Sequence, residues 1–121
     1  MRILIIDDDS TSAELTAECL MMEPGVSVRV AGDGATGLHA AVEFVPDTIL
    51  LDVDLPDASG LELAPQLKAL RPGRAPRIVI FSGSVRESDP RFLPEGVDAW
   101  LTKPAHLDVL LDCVFQNRRP R

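Results

Sequence analysis

Tyrosine is missing from this chain, tryptophan occurs once and phenylalanine four times among 121 residues. Any core must therefore be built mainly from aliphatic side chains, which the 45% hydrophobic content supplies. Cysteine is nearly as scarce. Cys19 and Cys113 stand far apart and outside any metal-ligand spacing, so both read as free thiols that behave as small half-buried hydrophobes on helices. Positive charge is short too: 12 Lys and Arg face 19 Asp and Glu, for a net charge of −7. A contiguous basic surface is then not expected, which disfavours direct nucleic-acid binding. The one basic cluster, Arg118, Arg119 and Arg121, follows the last apolar residue and is too short to enter a groove. No secretory apolar segment and no run long enough to span a bilayer is found, so a cytoplasmic protein without membrane association is expected. The length suits one domain over residues 1–117, with 118–121 as a basic tail.

What is present alternates. Residues 3–6, 26–31, 48–53, 77–81 and 97–101 are short and rich in Val and Ile, and read as strands. Between them apolar residues recur at helical spacing: Leu15, Cys19 and Met22; Leu38, Ala41, Val42 and Val45; Leu63, Leu67 and Leu70; then Leu107, Leu110, Leu111 and Val114. Thr11 with Glu14 resembles a capping box for the first helix, and Asp33 can cap the second. This alternation predicts a parallel sheet covered by helices on both faces. Strands one, three and four are continuous apolar runs, as central strands must be, whereas strand two carries Arg29 and reads as an edge. Right-handed crossovers then favour a flavodoxin-like, doubly wound five-stranded α/β fold in the order 2-1-3-4-5. Five helices are expected, the fourth short or irregular because Pro90, Pro94 and Gly96 crowd its segment. Pro65 should kink or delay the third helix.

In that strand order the crevice lies beyond the carboxyl ends of strands one and three. Strand one ends in Asp7, Asp8 and Asp9, strand three in Asp52, strand four in Ser82 and strand five in Lys103. Adjacent strands are about 4.8 Å apart, so Asp7 or Asp8 should lie within a few ångströms of Asp52. Carboxylates that close recruit a cation or change protonation, and an all-oxygen site suits a hard ion such as Mg²⁺. Ser82 can donate to a phosphoryl oxygen and Lys103 can neutralise another. A carboxylate nucleophile with fixed positive charge nearby is what phosphoryl transfer onto an aspartate requires.

These residues resemble the receiver domains of two-component response regulators, single-domain chemotaxis-regulator-like members included, over essentially the whole chain. The matching pieces are ILIIDDD at 3–9, DTILLDVDLPDASGLEL at 47–63, IVIFSGS at 78–84 and GVDAWLTKP at 96–104. The resemblance implies that Asp52 accepts phosphate from a sensor histidine kinase or a histidine phosphotransfer protein. It makes Asp8 a direct Mg²⁺ ligand, Asp7 a part of the acidic pocket and the Asp54 carbonyl the third protein ligand. Ser82 becomes the switch hydroxyl, Lys103 the phosphate-neutralising lysine, Trp100 the aromatic switch residue, and Lys103-Pro104 a cis peptide. Asp54 and Ser84 occupy places that influence how fast the aspartyl phosphate hydrolyses. Output would be a phosphorylation-dependent change in binding of a downstream target protein by a monomer or weak dimer, not turnover of a substrate. Ala105 replaces a large aromatic common after the proline, so the usual output face has lost bulk.

Two other readings use the same residues. A receiver-like module could bind partners without phosphorylation. DVD at 52–54 also resembles the nucleophile motif of haloacid-dehalogenase-type phosphatases, with Asp54 as general acid. In those enzymes, however, that strand comes first and the acidic pair last, and this chain has no insertion large enough for a substrate cap.

Overall fold

The computed structural model describes residues 1–83 and 93–115. The apolar runs form five strands, β1 Arg2–Ile6, β2 Ser27–Ala31, β3 Thr48–Leu51, β4 Arg77–Ser82 and β5 Ala99–Thr102. They pair in the order β2-β1-β3-β4-β5, every pair parallel. Four helices, α1 Ser10–Met21, α2 Gly34–Phe44, α3 Gly60–Ala69 and α4 Leu107–Val114, lie among the described residues.

Alternation along the strands divides the core in two. Ile3, Ile5, Leu50, Val79 and Phe81 pack with Ala13, Ala17 and Leu20 of α1 and Leu110 and Val114 of α4. Leu4, Ile6, Ile49, Leu51, Ile78 and Ile80 pack on the other face with Ala40 and Ala41 of α2 and Leu63, Ala64 and Leu67 of α3. Central strands are apolar at successive positions because both of their faces are dry. β2 is an edge, as expected, and most of its residues are exposed.

Several local expectations need correction. The face of α1 that meets the sheet is Ala13, Ala17 and Leu20, while Leu15 is 58% and Met22 77% exposed. The helix phase is set at its start: Asp9, not Thr11, is the N-cap, and its carboxylate accepts from Ser12 N at 3.1 Å. Thr11 then lies inside the first turn, so the Thr11–Glu14 capping box does not form, and alanines rather than larger residues let the helix approach β1 closely. Asp33 caps α2 as expected, accepting from Thr36 N at 2.8 Å. Pro65 sits in the interior of α3 without delaying it, for Ser59 caps the helix and Gly60 begins it. The expected fourth helix falls largely on residues 84–92, Pro90 among them, outside the described residues. Its remainder, Leu93 to Gly96, is not helical. Gly96, at φ +81°, turns there against α3, where a Cβ would stand 2.8 Å from the backbone of Ala64 and Pro65. The helix expected fifth is α4.

Candidate functional site

Hydrogen bonds continue the parallel ladder one residue past the ends of β1 and β3. Asp7 N donates to Ala31 O at 3.0 Å and Asp52 N to Ile6 O at 2.9 Å. This extension carries both carboxylates side by side to the carboxyl edge of the sheet, and both are largely buried, Asp7 4% and Asp52 9% exposed. Asp8, next along, is exposed, and carboxylate oxygens of Asp7, Asp8 and Asp52 all lie within 4.8 Å of one another. Such a set of hard oxygen donors, with solvent access on one side, fits a divalent cation that retains waters.

Two further strands complete the cluster. Ser82, fully buried at the end of β4, donates from its hydroxyl to Asp52 Oδ1 at 2.7 Å. Lys103 N donates to Ser82 O at 2.9 Å, and the Lys103-Pro104 peptide is cis. The lysine ammonium reaches Asp7 Oδ2 at 2.5 Å and lies 4.0 Å from Asp52 Oδ2, with the Phe81 ring centroid 5.3 Å away. One ammonium therefore serves two of the three clustered carboxylates. Burial pushes the Asp52 carboxyl above its ordinary value; the Ser82 hydroxyl works against this, and neighbouring Asp7 adds to it.

The loop after β3 is closed by its own contacts. Asp54 N donates to Asp52 Oδ1 at 3.3 Å, Gly60 N to Val53 O at 2.8 Å, and Asp54 bridges Ser59. Gly60 is required there, because a Cβ would stand 2.1 Å from the carbonyl oxygen of Asp52. Asp57 ties the same loop to α2, accepting from Gly34 N at 2.7 Å and Ala35 N at 3.0 Å. Sequence reasoning assigned neither Gly60 nor Asp57 a place. The glycine in DASG was a visible signal, but the Asp57 contact joins residues 23 apart and left none.

Trp100 is separate from the carboxylates. On β5 it pairs with Ile80 of β4, two residues before the Ser82–Thr102 pair, and packs half-buried against the α2–α3 side of the core. Ala105 packs on the opposite side. Ser84 lies outside the described residues. Among those described, no helix is long and apolar enough to cross a membrane.

Comparisons with known proteins agree with this geometry. Residues 3–115 match the family described as response regulator receiver domain. TcrX of Mycobacterium tuberculosis, a probable transcriptional regulatory protein, is 34% identical over 88% of this chain and 44% of its own length. The sensor histidine kinase AtsR of Burkholderia thailandensis is 34% identical over 98% of this chain but only 20% of its own. This chain thus spans less than half of either relative. A response regulator from Burkholderia pseudomallei, solved with a phosphorylated aspartic acid, calcium ion and citrate, superimposes with a TM-score of 0.83 at 29% identity, covering 96% of this chain and 67% of that one.

Proposed function

This chain belongs to the response regulator receiver family, and from that membership we propose that Asp52 is its phosphoacceptor, charged by a phosphohistidine on a sensor kinase or histidine phosphotransfer protein. The observation that carries the reading is the meeting of Asp52 with Asp7, Asp8, Ser82 and Lys103 at one sheet edge. In the reaction an Asp52 carboxylate oxygen attacks phosphorus, the P–N bond to the donor imidazole breaks, and its electron pair stays on the ring nitrogen, which takes up a proton. Aspartyl phosphate and histidine result. The raised affinity of Asp52 for a proton, caused chiefly by its burial and added to by Asp7, marks a carboxylate whose charge a cation would steady. Asp7, Asp8, Asp52 and the Asp54 carbonyl would hold Mg²⁺, whose charge offsets that of the carboxylates and of the transferring group.

The chain's own side chains do the rest. Ser82, already donating to Asp52, is within reach to donate to a phosphoryl oxygen, and Lys103 needs only a small swing from Asp7 to pair with another. Moving the Ser82 hydroxyl would open space above Trp100 on the same face of the sheet, the route by which phosphorylation would alter the β5 surface and the choice of target protein. The role is that of a signalling domain that supports its own phosphorylation and dephosphorylation.

Incubation with acetyl phosphate, followed by intact-mass measurement, tests the assignment. We expect one phosphoryl adduct that requires Mg²⁺ and is absent from Asp52→Asn, and a Trp100 fluorescence change on adding beryllofluoride with the same dependence. An adduct that survives in Asp52→Asn moves the acceptor elsewhere. No adduct, together with no detectable Mg²⁺ binding, replaces the proposal with a phosphorylation-independent interaction module.

A further inference from the structure

Among the described residues, the opposite end of the sheet gathers three of the four arginine and lysine side chains that no ion pair engages. Seven Lys and Arg are described. Arg29 pairs with Glu43, Lys68 with Asp98 and Lys103 with Asp7, while Arg77 donates to Cys113 O. The other three, Arg2, Arg71 and Arg74, line a single cleft of about 460 Å³ together with Met1, Val45 and Asp47. It opens at the amino edge of the strands, a β-strand's length, roughly 15 Å, from the Asp52 cluster.

Two of these arginines are held in place. Arg2 donates to Phe44 O at 3.1 Å and Arg71 to Val42 O at 3.2 Å, both carbonyls at the end of α2. Capping those carbonyls is the simpler role for Arg2 and Arg71, and it engages one nitrogen of each guanidinium, a group that carries five N–H donors. It does not explain Arg74, whose side chain lines the same cleft. Asp47 partly offsets the charge, though its carboxylate already accepts from Arg2 N at 2.7 Å. Three arginines against one carboxylate leave two net positive charges in the lining, and the two forks already held lose little freedom on meeting an anion.

We propose that this cleft is an anion site for a diphosphate group. Its volume falls within the range of small-ligand pockets, about 300–1,000 Å³, and its net charge matches a group with more than one ionised phosphate. The diphosphate could be inorganic or carried by a nucleotide, and the experiment separates the two. Inorganic diphosphate and ADP are each titrated by calorimetry in EDTA, so that no cation bridges either one to the Asp52 end, with Gly73 and Arg74 amide shifts followed by NMR. Binding of either that weakens at least tenfold in Arg74→Glu, and again in Arg71→Ala, supports the site; binding of ADP alone identifies a nucleotide as the source. Arg74→Glu removes no described side-chain contact, so the variant is expected to fold, and its beryllofluoride response reports that the Asp52 end is intact. Absence of binding at millimolar ligand, or equal binding in Arg74→Glu, overturns the proposal.

Discussion

The two ends of this parallel sheet handle charge in opposite ways. At the carboxyl end, three carboxylates crowd around one ammonium, and Asp52 is buried with too little positive charge to favour its ionised form. At the amino end, Arg2 and Arg71 rest on backbone carbonyls at the end of α2, which is the negative pole of that helix. The first end is incomplete as a set of charges and gains from a cation or a phosphoryl group. At the second, two arginines have main-chain partners and the charge left over is positive. A group held in an unfavourable state responds strongly when its partner arrives, and for this reason the proposed chemistry suits the carboxyl end.

The sharpest way to break that contrast is Asp52→Asn, which should abolish phosphorylation altogether while making the metal-free protein more stable at neutral pH. Well below the ordinary carboxylate value of about 3.9, Asp52 is protonated folded and unfolded, and contributes no difference. As pH rises toward its raised folded value the unfolded chain releases the proton more readily, so the parent loses stability across that window and then levels off. The substituted asparagine retains an oxygen to accept from Ser82 but cannot ionise, so the variant should lack the decline. Urea unfolding from pH 3 to 8 in EDTA measures it. Saturating Mg²⁺ should bring the parent back toward the variant, by about 2.7 kcal/mol when Mg²⁺ stands at a hundredfold excess over its Kd.

Two glycines compare the ends as backbones. Gly60→Ala forces a methyl to 2.1 Å from the Asp52 carbonyl, and should cost about 3 kcal/mol or more by shifting the loop after β3. Gly73→Ala, at φ +87° with nothing within 4 Å, should cost only the left-handed strain of about 1–2 kcal/mol. Equal losses in thermal unfolding would mean that the carboxyl end is no more tightly built than the other. Between these in size stands Lys103→Met. It leaves the buried Asp7 carboxylate without its ammonium and should destabilise by about 1–3 kcal/mol, below the figure for a fully buried pair because Lys103 keeps some solvent contact. Mg²⁺ should recover part of the loss.

How much of this was legible beforehand follows from where the information sits in the chain. Strand order could be read because a strand dry on both faces must be apolar at nearly every position, and ILII, ILL and IVIF are. The meeting of Asp7, Asp52, Ser82 and Lys103 could be read because each directly follows or ends a strand, so topology alone brings them together. The phase of α1 could not. Hydrophobic spacing favours the larger residues Leu15, Cys19 and Met22, yet close packing on β1 selects the smaller Ala13 and Ala17, and the Asp9 cap decides the turn. Asp57 was hidden for a different cause: its partners are main-chain N–H groups of α2, which leave no mark in side-chain pattern.

The gentlest test bears on the amino end. Arg71→Met keeps the aliphatic stem but leaves Val42 O, near the end of α2, without its guanidinium donor. That carbonyl lies at the surface, where water can replace the lost bond, so the cost should be only about 0.5–1 kcal/mol. Arginine stays charged throughout the accessible pH range, and this loss should therefore be the same at pH 5 and pH 8, unlike the pH-dependent difference expected for Asp52→Asn. Paired urea titrations at the two pH values give the comparison directly. A loss that shrank on adding salt would mean that Arg71 also steadies a carboxylate such as Asp47, the acidic residue sharing its cleft, and the amino end would then be partly ion-paired.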